Sequence, residues 1–177
     1  LLNSLSTVLR EVMVNAQKAN AKRIFFIKNN LDINDPAAYD RGMKDFHEKV
    51  IGNFDAIEED MRHSDFQVMV HFEKEPSRLV IRVLNNALLI PEELQRIHLR
   101  MDKARQYNDF TEAYEEVEDE TEGAGLGIVL TMLFLKNMGI DPETFTIETD
   151  NSQTVTTIVF LPNPSSWING ETRNSYR

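Results

Sequence analysis

Early in the chain a carboxylate, an amide and an ammonium recur at helical spacing. Glu11, Asn15 and Lys18 stand at i, i+4 and i+7, so a helix projects them from one stripe, with Val8, Val12 and Ala19 on another. That polar trio has the chemistry to meet a metal triphosphate. Asn15 offers a neutral oxygen to Mg²⁺, Glu11 can order a metal-bound water or act as a base, and Lys18 can meet a phosphate. Taken alone, such a stripe is more often a solvated face.

A second feature sits late in the chain. Of only seven glycines, Gly123, Gly125 and Gly127 fall at alternate positions in "GAGLGI", immediately before an apolar segment. Gly125 and Gly127 remove side chains where the chain enters a helix, so backbone N–H groups there can approach a ligand, and a helix start carries about +0.5 charge. Together these can hold phosphate. The same glycines would also let the helix pack tightly against a strand, and a lone GxGLG does not decide between the two.

Both features need elements to position them. "STVLREVMVNAQKAN" (Ser6 to Asn20) has the apolar spacing of an amphipathic helix with Ser6 as N-cap. "RIFFIK" (Arg23 to Lys28) reads as a strand, dense in aromatic and β-branched residues and followed by a turn at Asn29, Asn30 and Asp32. Residues 36–63 carry apolar residues at helical intervals, as one long helix or two broken near Gly52. "FQVMVHF" and "RLVIRVL" alternate at period two and form a hairpin across "EKEPS". A helix opens at Pro91, and the acidic run "EAYEEVEDETEGAG" is a loop or a weakly held helix. Ile128 to Met138 is an apolar helix ended by Gly139, and "TFTIET" and "TVTTIVFL" are the last strands. Strands that come mainly as hairpins beside helices predict an α+β two-layer sandwich, a mixed, mostly antiparallel sheet with helices on one face.

Composition sets bounds on partners. The chain has 177 residues, enough for one core, and a net charge of −10 from 19 Lys and Arg against 29 Asp and Glu. That charge argues against nucleic acid and against an anionic membrane surface, and a bound polyanion needs a local source of positive field. The absence of cysteine rules out disulfides and thiolate metal sites and suits a reducing compartment, so a cytoplasmic location is expected. No apolar run approaches the roughly 20 residues of a spanning helix. The chain opens at Leu1 and is in helical pattern almost at once, which predicts a fragment of a longer protein. His47, His63, His71 and His98 have no paired ligand spacing.

"EVMVNAQKAN" resembles the N box of the GHKL ATPase superfamily, which includes gyrase, heat-shock protein 90 and histidine kinases, and "GAGLGI" resembles its second glycine box. The likeness is greatest to the ATP-binding domains of histidine kinases and anti-sigma-factor kinases, and it spans Leu5 to about Leu161. The resemblance implies a Bergerat-type fold over residues 1–161, with a helical insertion at 36–63 and a polar tail at 162–177. It implies a signalling domain that binds ATP with Mg²⁺ and phosphorylates a partner His or Ser. Glu11 would be catalytic, Asn15 would hold the metal, and Lys18, Gly123, Gly125, Leu126 and Gly127 would bind the phosphates. No phosphoacceptor box lies within the chain, and any homodimer would form through a segment upstream of Leu1.

One box departs from the pattern. The family's DxGxG corresponds to "VLNNALLIPEEL", where Ile90, Pro91 and Glu93 set the register, so the Asp falls on Asn85 and the glycines on Ala87 and Leu89. Asn85 can still accept from an adenine amino group, though without charge. Leu89 borders the purine pocket or fills it. Residues 97–123 lie where the family has its ATP lid, with Arg100, Lys103 and Arg105 as sources of positive charge. If Ala87 and Leu89 close the purine site, the alternative is a degenerate pseudo-kinase module acting through a regulatory protein, with the insertion as its partner surface.

Overall fold

The computed structural model describes residues 2–51, 55–117, 126–150 and 152–161. Helix α1 (Leu2–Lys28) is the longest element and runs straight through the segment predicted as a strand. Arg23 to Lys28 is therefore its last turns, and Ser6 lies inside the helix rather than capping it. The physical reason is that two cores share one rod. Val8, Val12 and Ala16 enter the main core, while Ala21, Ile24, Phe25 and Phe26 enter a second cluster with Phe46, Val50 and Ile57. With a cluster waiting to enclose them, consecutive bulky residues are buried without a strand. Asn29 and Asn30 cap this helix. Asn30 takes φ 51°, with its N–H donating to Ile27 O and the Leu31 N–H to Phe26 O, the paired bonds of a Schellman end.

The insertion folds as α2 (Pro36–Phe46), a π-helical turn (His47–Ile51) and α3 (Asp55–Arg62). Asp35 caps α2 by accepting from Ala38 N at 2.6 Å, with Pro36 in its first turn. The break predicted at Gly52 lies outside the described residues. Phe46 belongs to the core, edge-on against Phe25.

Strands β1 (Val68–Lys74) and β2 (Leu79–Asn85) form the predicted hairpin. After α4 (Pro91–Gln106), α5 (Phe110–Val117) and α6 (Leu126–Asn137) come β3 (Phe145–Thr149) and β4 (Thr154–Phe160). The sheet order is β1-β2-β4-β3, and all its pairings are antiparallel, not mixed. Helix α6 ends as its sequence indicates, with Gly139 at φ 74° and Ile140 N donating to Leu135 O.

Register places Ile81 beside Ile158, and Ile158 beside Phe145, on one face of the sheet. That face meets Val12, Met101, Met132 and Leu133 from α1, α4 and α6 in the main core. The result is an α+β two-layer sandwich. Asn85 and Thr154 are partners at one end of β2 and β4, on the same helix-facing side. Helices α1 and α4 each pack along α6, and a cleft lies between them above that end of the sheet. Among the described residues no helix is long and apolar enough to cross a membrane.

Candidate functional site

The polar stripe of α1 faces this cleft because the opposite stripe is held in the core. Glu11, Asn15 and Lys18 are half-buried along one wall, and Lys22, one turn further on, continues them. The start of α6 closes against the same wall. A methyl group at Gly127 would overlap Glu11 Oε1 and stand 3.4 Å from Asn15 Nδ2, so the bare backbone is what allows the two helices to approach here. Helix α4 supplies Glu93, Arg96 and Arg100 at i, i+3 and i+7. The insertion supplies Tyr39 and Met43 as a further wall, which gives it a place in the site itself.

The cleft has a volume of about 230 Å³. Lys18, Lys22, Arg96 and Arg100 face it, with Glu11 and Glu93 as the carboxylates among its described lining. In a chain of net charge −10 this is a local reversal of sign. Glu93 ties Lys22 in place. It is buried, pairs with Lys22 and with Arg23 Nη2, and accepts from Arg23 Nη1 at 3.2 Å and from its own helix start, Ile90 N, at 3.2 Å. Tyr39 Oη lies 3.4 Å from Glu93 Oε1 and accepts from Arg96 Nη2 at 2.6 Å. Burial alone would raise the Glu93 carboxyl, but the Arg23 hydrogen bond and the charges of Lys22 and Arg23 outweigh it and hold the group at about 2. Burial depresses the Lys22 ammonium against the pull of Glu93, and burial with the nearby Glu93 charge raises the Tyr39 phenol.

Beyond Leu89 the cleft continues into a smaller, mainly apolar cavity of about 100 Å³ between α1, α6 and the sheet. Asn15, Ala19, Leu89, Ile97 and Ile128 line both spaces, so Leu89 stands on the boundary and leaves the inner cavity open. Together the two just reach the lower end, about 300 Å³, of the usual range for small-molecule sites. Asn85, Thr131 and Thr154 are among the residues of the inner wall, and the Thr131 hydroxyl itself is buried without a hydrogen-bond partner among the described residues.

The residues singled out from sequence thus divide. Glu11, Asn15, Lys18 and Gly127 converge on the cleft, with Asn85 and Leu89 at its inner end. Ala87 is buried and lines neither cavity; its carbonyl instead accepts from Thr154 Oγ1 at 2.8 Å. Arg100 reaches the cleft, whereas Arg105 is paired with Asp102 at 2.6 Å. Leu126 opens α6, and Gly123 and Gly125 lie outside the described residues. Sequence reasoning passed over Lys22, Arg23, Tyr39, Arg96 and Thr131. Only Lys22 carried a local signal, as the next residue of the Glu11 stripe.

No protein-family model matches the chain. Over 155 residues, 88% of this chain, it is 36% identical to an uncharacterized protein of Treponema pallidum (strain Nichols). The matched part makes up 30% of that relative, so the chain spans under a third of its length.

Proposed function

We propose that the cleft between α1 and α4 binds a nucleoside triphosphate with Mg²⁺, as the GHKL ATPase superfamily does, with the base in the inner cavity and the phosphates among the cations. The observation that carries this reading is the approach of Gly127, far away in sequence, to Glu11 and Asn15 at the mouth of a cationic cleft in an acidic protein. The donor set suits Mg²⁺, which keeps several waters and takes few protein oxygens beside those of the phosphates. Asn15 and Glu11 would hold the hydrated ion, which supplies charge neutralisation at the phosphates. Lys18 and the amide end of α6 meet the same phosphates. ATP is the nucleotide the motifs favour, and transfer of its γ-phosphate to His or Ser of a partner protein is the reaction such a domain would serve.

Thermal melting with and without Mg-ATP tests the proposal. Nucleotide at a hundredfold excess over its Kd stabilises the folded state by about 2.7 kcal/mol. A clear rise in Tm is the expected result, and no shift at millimolar Mg-ATP overturns it. That second outcome favours a protein-interaction module.

A further inference from the structure

The helical insertion meets the cationic side of the cleft through one ring. Tyr39 stands in the first turn of α2, where its N–H donates to Asp35 O at 2.8 Å, and its ring packs on Phe26 of α1 with the centroids 5.9 Å apart. Anchored there, the side chain is half-buried and its hydroxyl reaches across to α4. A guanidinium only donates, so Tyr39 Oη accepts from Arg96 Nη2 at 2.6 Å, and the phenolic proton is left for Glu93 Oε1, 3.4 Å away. The same guanidinium lies within cation–π range of the ring, its carbon 5.4 Å from the centroid. Tyr39 therefore holds Arg96 by its oxygen and by its ring. Arg96 lines the cleft together with Asn15 and Lys18, and the bond to Tyr39 takes only one of the five donors in its planar fork. An arginine that must first be ordered binds an anion less tightly than one already held in place.

We infer that Tyr39 is a positioning residue that aims the Arg96 guanidinium at the phosphates of the bound nucleotide, so that the insertion is part of the binding site. The phosphates are the group of Mg-ATP that a charged, donor-only fork complements. The hydroxyl is the part of Tyr39 that fixes the direction of the fork, since the ring alone sets a distance and not an angle. This inference rests on the nucleotide reading above and adds what the insertion contributes to it.

The test is a double-mutant cycle on Mg-ATP affinity, measured with the whole chain as wild type, Tyr39→Phe, Arg96→Gln and the double variant. Tyr39→Phe keeps the ring against Phe26 and removes only the hydroxyl, and it should bind Mg-ATP about fivefold more weakly, the scale of one hydrogen bond. Arg96→Gln should weaken binding by about tenfold or more, as a lost charge-assisted contact does. With Arg96 already replaced, removal of the Tyr39 hydroxyl should change the affinity no further. A ring that only supports the wall of the cleft gives the same loss in both backgrounds. That additive result overturns the inference and leaves the nucleotide site standing, as does unchanged affinity in either single variant. Binding of no Mg-ATP by wild type overturns the nucleotide reading and this inference with it.

Discussion

Gly127, at the start of α6, lies so close to Glu11 of α1 that a single added methyl group would overlap the carboxylate Oε1. The obstacle is the far end of a half-buried side chain, so Gly127→Ala can be accommodated if Glu11 swings aside. Ala is favoured over Gly within a helix by about 1 kcal/mol, which offsets the strain. The variant should therefore melt close to wild type while its affinity for Mg-ATP falls, by about tenfold for a lost charge-assisted contact. Melting and nucleotide titration of the same sample check this. Full affinity in the variant would separate Glu11 from the metal.

Glu93 makes stability depend on acid. Its carboxyl is held at about 2 in the folded chain against an ordinary 4.5. The unfolded chain takes up the proton first as pH falls. The contribution is thus complete above about 4.5 and is lost on the way down to 2, on the order of 3 kcal/mol in all. Glu93→Gln should be less stable than wild type by about 3 to 5 kcal/mol at neutral pH, because Lys22 and Arg23 are left buried without their partner. Urea unfolding from pH 7 to pH 3 reads both effects. The gap between the two proteins should close as the pH drops, and a constant gap would contradict the assignment.

Asn85→Asp places a carboxylate at the end of β2, and it should destabilise this chain. The new oxygen would face the Ala87 carbonyl, 3.4 Å from the present nitrogen, and lose the donor that now serves it. A cost of about 1 to 3 kcal/mol follows from setting a buried acceptor against an acceptor. Thermal melting without nucleotide measures it, and a Tm equal to or above that of wild type would refute an amide nitrogen beside the Ala87 carbonyl.

Much of the molecule was legible because its signals are local. The Glu11, Asn15 and Lys18 stripe, the β1–β2 hairpin, the Pro91 helix start and the Gly139 stop each follow from spacing or from one residue's backbone preference. Arg23 to Lys28 was misread because Ile24, Phe25 and Phe26 form an apolar run without a period, which suits a strand as well as an enclosed helix. What decided between them was the Phe46, Val50 and Ile57 cluster, supplied by a later segment. The Lys22, Arg23 and Glu93 network escaped for the same reason. Its partners are about 70 residues apart, and no short motif links them.

The most direct measurement is titration calorimetry of Mg-ATP into wild type and Asn15→Ala. Wild type should give saturable one-site binding that weakens when Mg²⁺ is chelated, and Asn15→Ala should fold normally but bind at least about tenfold more weakly, with little remaining dependence on Mg²⁺. No saturable binding by wild type at millimolar Mg-ATP, or an Asn15→Ala protein that binds as wild type does, would contradict the assignment of this cleft.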